Sequence, residues 1–215
     1  MDNIDNVFQS LGLILIVINA ILYTKSYISS KNHVALLFLF LYLTICAIIM
    51  IVSSVLAYNE LNNIYLAHIY FVFQFILLSL FYHSLFNSRQ KKIVTIILVS
   101  VVTILVIQYF NNPDLIYKFN LFEIFITSFP LVVYSIVHLY NSLSKQGEYM
   151  YINAGVLIYL TSSTLIFILG NYLHSVLDKD TSIYIWFINK VLYVIYLLLI
   201  LVEWKKSILP LKRKL

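Results

Sequence analysis

Long apolar runs alternate with short polar breaks along the whole chain. Each run is about as long as the ~20 residues that cross a bilayer as a helix. The pattern predicts seven spans, at about residues 7–27, 33–58, 63–86, 92–110, 115–139, 150–177 and 182–204, and a basic tail, 205–215. Tyr58, Tyr109, Tyr140 and Trp204 fall at span ends, where interfacial aromatic belts lie. The opening segment MDNIDN is acidic and lacks the cationic stretch of a cleaved signal peptide, so the first run is expected to remain as a helix. Connections are short, leaving no segment for a soluble domain.

Composition supports the same reading. The chain is 62% hydrophobic and 11% charged, with mean hydropathy +0.93, whereas soluble domains carry about 25% charged residues. Gly (4) and Pro (3) are scarce, which suits long unbroken helices and not the turn-rich pattern of a transmembrane β-barrel. The fold class is therefore an all-α, polytopic, seven-transmembrane-helix bundle. A single cysteine, Cys46, excludes an internal disulfide. Basic residues are scattered at span ends and not gathered on one soluble face, so no nucleic acid is expected as partner; the lipid bilayer is.

Charge gives the orientation. Lys25, Lys31, Arg89, Lys91, Lys92, Lys145 and the tail residues Lys205, Lys206, Lys212, Arg213 and Lys214 all fall on one side. Glu60, Asp114, Asp178, Lys179 and Asp180 fall on the other. The positive-inside rule then predicts an outer N-terminus and a cytoplasmic C-terminus, in a bacterial inner membrane.

Two ionisable residues lie well inside spans, and such groups are functional-site candidates because their desolvation is costly. Lys190 and Glu123 each stand eight residues from the outer start of their span, ~12 Å at a 1.5 Å rise. Their shared depth predicts an ion pair between the fifth and seventh helices. Asn120, Glu123, Thr127 and Tyr134 share one helical face, as do Thr164, Phe167, Asn171 and His174, and Trp186, Asn189, Tyr193 and Tyr196. With His68 about one turn below the outer surface, these stripes describe an outward-opening aromatic pocket with convergent polar groups for a small ligand. The alternative is interhelical hydrogen bonding that serves packing alone. His68, His83, His138 and His174 split between the two membrane sides, a poor set for zinc.

Several classes lack their residues. Retinal on Lys190 is not expected, because Trp186 occupies the place one turn earlier and the third helix has no acid. No Pro-Gln pair marks a small sugar-type transporter, and no paired intramembrane acids, His-Glu-x-x-His or Gly-x-Ser-x-Gly marks an enzyme. No cofactor is expected.

The last two spans, NAGVLIYLTSSTLIFILGNYL from Asn153 and IWFINKVLYVIYLLLILVEW from Ile185, resemble the end of the seven-helix sensory modules at the N-termini of bacterial membrane histidine kinases. The likeness rests on Asn153, Gly155, Tyr159, Phe167 and Asn171 and on the hydropathy profile. It implies a sensor with an outward ligand site coupled to the last helix. A kinase region is not expected to follow, so signalling is expected to pass to a separate protein at the cytoplasmic face. A small-molecule transporter and a structural subunit of a membrane complex are the alternative readings.

Overall fold

The computed structural model describes residues 2–29, 33–144, 147–173 and 179–209, with the helical backbone alone at 2–3, 144, 171–173 and 179–183. Among the described residues, seven long helices make up the fold: α1 (Asp2–Ser29), α2 (Val34–Tyr58), α3 (Ile64–Leu85), α4 (Ser88–Asn111), α5 (Leu121–Ser144), α6 (Met150–Leu173) and α7 (Lys179–Glu203). All seven contain segments long and apolar enough to cross a membrane, so the chain is a multi-pass integral membrane protein.

Several boundaries differ from the hydropathy reading, and the starts of the fourth and fifth helices do so through local chemistry. The first helix starts at Asp2 instead of about residue 7, which makes Asp5 a helical residue. The fourth starts at Ser88, because Asn87 and Gln90 form a reciprocal capping box: the Asn87 side chain accepts from the Gln90 N–H, and the Gln90 side chain from the Asn87 N–H. The fifth starts at Leu121, after a short 3-10 helix at Pro113–Tyr117. Asn120 caps it, its side-chain oxygen accepting from the Glu123 N–H at 3.3 Å.

Six helices close a ring in the order α1, α2, α3, α5, α6, α7, with α7 packed back on α1. The remaining helix, α4, lies outside it against α3 and α5. Its buried residues Val94, Val101 and Leu105 form one narrow stripe, while Ile93, Ile96, Val99, Ile104 and Ile107 are exposed to the surroundings. Such all-round apolarity is stable in hydrocarbon, where every helix backbone group is satisfied within its own segment. One end of the bundle carries Asp5, Glu60 and Asp114 and is here the acidic end; the other carries Lys25, Arg89, Lys91, Lys92, Lys205 and Lys206 and is the basic end.

Polar side chains stitch the ring. From α1, Asn19 Nδ2 donates to the Leu197 carbonyl at 2.9 Å and the Tyr23 hydroxyl to the Ile200 carbonyl at 3.0 Å. Trp204 Nε1 donates back to Ser26 Oγ at 2.9 Å, at the start of a π-helical turn, Trp204–Ile208. Asn19, Tyr23 and Ser26 are spaced by four and three, so one face of α1 holds α7 along its length. On the other flank, Gly155 lets α6 approach closely: a Cβ there would lie 2.8 Å from the Tyr196 ring, which stacks on Tyr159 at 5.3 Å.

Candidate functional site

The expected Glu123–Lys190 pair does not form, and helix geometry says why. Glu123 is in the first turn of α5, close to the acidic end, whereas Lys190 is in the middle of α7. In addition α6 stands between α5 and α7, which do not touch among the described residues. The polar groups of the acidic half therefore sort into two separate sites.

The first site belongs to α1 and α7. Lys190 Nζ donates to Asp5 Oδ2 at 2.6 Å, with both side chains about one-third exposed. Gly12 of α1 meets the Tyr193 ring of α7, so the backbone of Asp5 stands roughly one turn nearer the acidic end than the level of Lys190. The lysine stem thus runs toward the interface and places its charge there, as long basic side chains in membranes do. Below this ion pair is a cavity of about 260 Å³, lined by Phe8, Gln9, Gly12, Met50, Tyr70, Tyr159, Asn189, Lys190 and Tyr193.

Aromatic rings form the walls and floor of the cavity. Tyr159 packs on Tyr193 at 5.4 Å, and the Tyr193 hydroxyl meets Met50 Sδ at 3.0 Å. Beneath lies a hydrogen-bonded layer: Gln74 Nε2 donates to the Tyr70 and Tyr42 hydroxyls at 3.0 and 3.3 Å, and the Tyr196 hydroxyl bonds that of Tyr42 at 3.1 Å. Asn189 contributes a buried side-chain oxygen that has no hydrogen-bond partner. The cavity lining therefore combines aromatic and apolar surface with the amides of Gln9 and Asn189 and the Lys190 ammonium.

The second site joins α3, α4 and α5. Glu123 is fully enclosed, and its Oε2 accepts from the Tyr109 hydroxyl at 2.7 Å and meets His68 Nδ1 at 2.5 Å. The Tyr109 hydroxyl also lies 2.8 Å from His68 Nδ1. Asn120 orients this group by donating to Gln108 Oε1 at 3.2 Å, and the Thr127 hydroxyl donates to the Glu123 carbonyl at 2.7 Å. The position of Glu123 in the first turn of α5 also sets its carboxylate in the positive end of that helix dipole. A cavity of about 350 Å³ adjoins the group, lined by Tyr65, His68, Ile69, Val72, Phe73, Tyr109, Ile116 and Glu123.

No protein-family model, curated protein or solved structure matches the chain. The two sites stand on their own geometry.

The predicted residues divide as follows. Lys190, Asn189 and Tyr193 line the first cavity, and Glu123, His68, Asn120 and Thr127 build the second group. Trp186 reaches neither cavity wall; it packs on Phe167 at 5.6 Å and is 39% exposed. His174 and the side chain of Asn171 lie outside the described residues. Asp5, Tyr109 and Gln108 complete the two groups without having been singled out by the sequence. Glu203, likewise not singled out by the sequence, belongs to neither group: it is buried at the basic end, where its carboxylate accepts from the Tyr151 N–H at 2.8 Å and caps the start of α6.

Proposed function

We propose that this membrane protein is a receptor-like sensory module whose ligand site is the aromatic cavity between α1 and α7. The positive-inside rule puts the acidic end, and with it the cavity mouth, on the outer face. The observation that carries the reading is the unpartnered Asn189 oxygen in a cavity whose lining also includes three tyrosines, Phe8, Met50, Gln9 and Lys190. Such a site takes a small, largely apolar molecule with one hydrogen-bond donor. Its volume, about 260 Å³, sits just below the ~300–1,000 Å³ of typical small-molecule sites and so selects a compact ligand.

Coupling is supported by the same helix. Asn189, Lys190 and Tyr193 touch the cavity, while Trp204 and Glu203, farther along, bind Ser26 of α1 and the start of α6. A ligand that repositions α7 against α1 therefore changes contacts at the basic end, where a signalling protein would dock. The hydrogen-bonded layer of Tyr42, Tyr70, Tyr196 and Gln74 under the cavity favours a receptor over a transport pathway.

The test is a thermal-stability screen in nanodiscs against compact aromatic alcohols, phenols and amines. A binder should raise the Tm of the native chain and lose about tenfold or more in affinity in Asn189→Leu, the scale of one hydrogen bond to a buried acceptor. Gly12→Leu, which fills the cavity beside Tyr193, should abolish binding. Binding that survives both changes would place the ligand elsewhere and end the reading.

A further inference from the structure

The Glu123 site is separate from the α1–α7 cavity and has its own chemistry. Two of its buried polar atoms have no hydrogen-bond partner, Glu123 Oε1 and His68 Nε2. Both residues are more than nine-tenths buried, and both line the 350 Å³ cavity. With the imidazole neutral and its Nδ1–H donated to the carboxylate, Nε2 is an acceptor. Two acceptors and one net negative charge then lie enclosed just behind the apolar lining of the cavity. Among the described residues His68 is the only basic group within ion-pair distance of Glu123. A buried carboxylate in that state is complementary to a cationic hydrogen-bond donor.

The rest of the cavity is hydrocarbon. Ile69 and Phe73 lie on the outward surface of α3, each 40% exposed, and Ile116 on the 3-10 helix is 39% exposed. Ile69 and Phe73, so exposed along a membrane span, face the lipid, so the cavity opens sideways into the bilayer beside α4 and not into the ring. Tyr109 belongs to α4, the least enclosed helix, and its hydroxyl is the group that covers Glu123 Oε2.

We propose that this cavity binds a lipophilic amine that enters from the bilayer. The ammonium group pairs with Glu123 and donates to His68 Nε2, the Tyr109 hydroxyl moves aside, and the hydrocarbon body packs on Ile69, Val72, Phe73 and Ile116. No bond is made or broken.

The experiment uses the full chain in phosphatidylcholine nanodiscs and three probes with the same tail: dodecylamine, dodecanol and dodecanoic acid, each with a photoreactive diazirine near the tail end. Mapped cross-links should place the amine on 65–73 and 109–116. The alcohol should label this groove about tenfold less, the scale of one charge-assisted hydrogen bond, and the acid not at all. Glu123→Gln should lower amine labelling about tenfold, and Tyr109→Phe should preserve or increase it. Ile69→Trp blocks the groove while leaving the polar group intact, and should abolish labelling. Equal labelling by amine and alcohol, full labelling of Glu123→Gln, or labelling only at other surfaces would each overturn the proposal. If Glu123→Gln does not fold, the comparison of head groups on the native chain and Ile69→Trp decide the matter in the same way.

Discussion

Replacing His68 by Leu should destabilise the bundle by about 3–5 kcal/mol, and replacing Glu123 by Leu in the same chain should recover most of that loss. The asymmetry comes from the enclosure of Glu123. Its carboxylate has no exposed surface and meets one basic group, the His68 imidazole. Without the imidazole the carboxylate keeps only the Tyr109 hydroxyl and must be desolvated almost alone. With both removed, two leucines in a hydrocarbon-facing region carry no desolvation penalty. Steric trapping in bicelles measures the unfolding free energy of the two single variants and the double. Equal destabilisation of the double variant and the sum of the singles would mean that the two side chains act independently, contrary to the 2.5 Å contact.

The second large effect belongs to Asn153, deep in the bundle toward the basic end. Its side-chain oxygen accepts from the Tyr82 hydroxyl and from Ser135 Oγ, both at 2.9 Å, and its Nδ2 donates to the Ser135 carbonyl at 3.2 Å. One side chain therefore joins α3, α5 and α6. Asn153→Leu should cost about 2–3 kcal/mol, above the ~0.6 kcal/mol mean for a single interhelical hydrogen bond in membranes, because it also strands the buried Tyr82 hydroxyl. Adding Tyr82→Phe removes that stranded donor and should return about 1 kcal/mol. Unfolding of the two variants by the same method checks both values. A loss below about 1 kcal/mol in Asn153→Leu would show that the three helices are held by apolar packing alone.

The spans were legible in the sequence because the bilayer sets their length, and every run of sufficient length became one helix. The two costly groups, Glu123 and Lys190, were also legible, since ionisable residues inside apolar runs stand out. Their partners were not. Counting depth from Leu115 hid the break at Pro113–Tyr117, although Asn120 and Glu123 carry the spacing of a helix cap and would have set the start of α5 correctly. Asp5 precedes the first apolar run, so hydropathy leaves it outside the first span, yet a lysine stem reaches along α1 to it. The ring order could not be read at all: hydropathy does not say that α4 stands outside and that α3 therefore meets α5 directly. That single fact of packing brings His68 to Glu123. Asn19, Tyr23 and Ser26 form a spaced polar face on α1, and Glu203 is an acid in an apolar helix end; the sequence carries both signals, but spacing alone does not name their partners.

The central claim is that the acidic half holds two separate polar sites, one on α7 and one on α5. Double-mutant cycles on Lys190 test it most directly. Unfolding free energies would be measured in bicelles for Lys190→Met, Asp5→Asn, Glu123→Gln and the two double variants that contain Lys190→Met. Lys190 and Asp5, each about one-third exposed, should couple by about 0.5–1 kcal/mol, the scale of a solvent-screened ion pair. Lys190 and Glu123 should be additive to within about 0.5 kcal/mol. Coupling of Lys190 to Glu123, with none to Asp5, would contradict the account and merge the two sites into one.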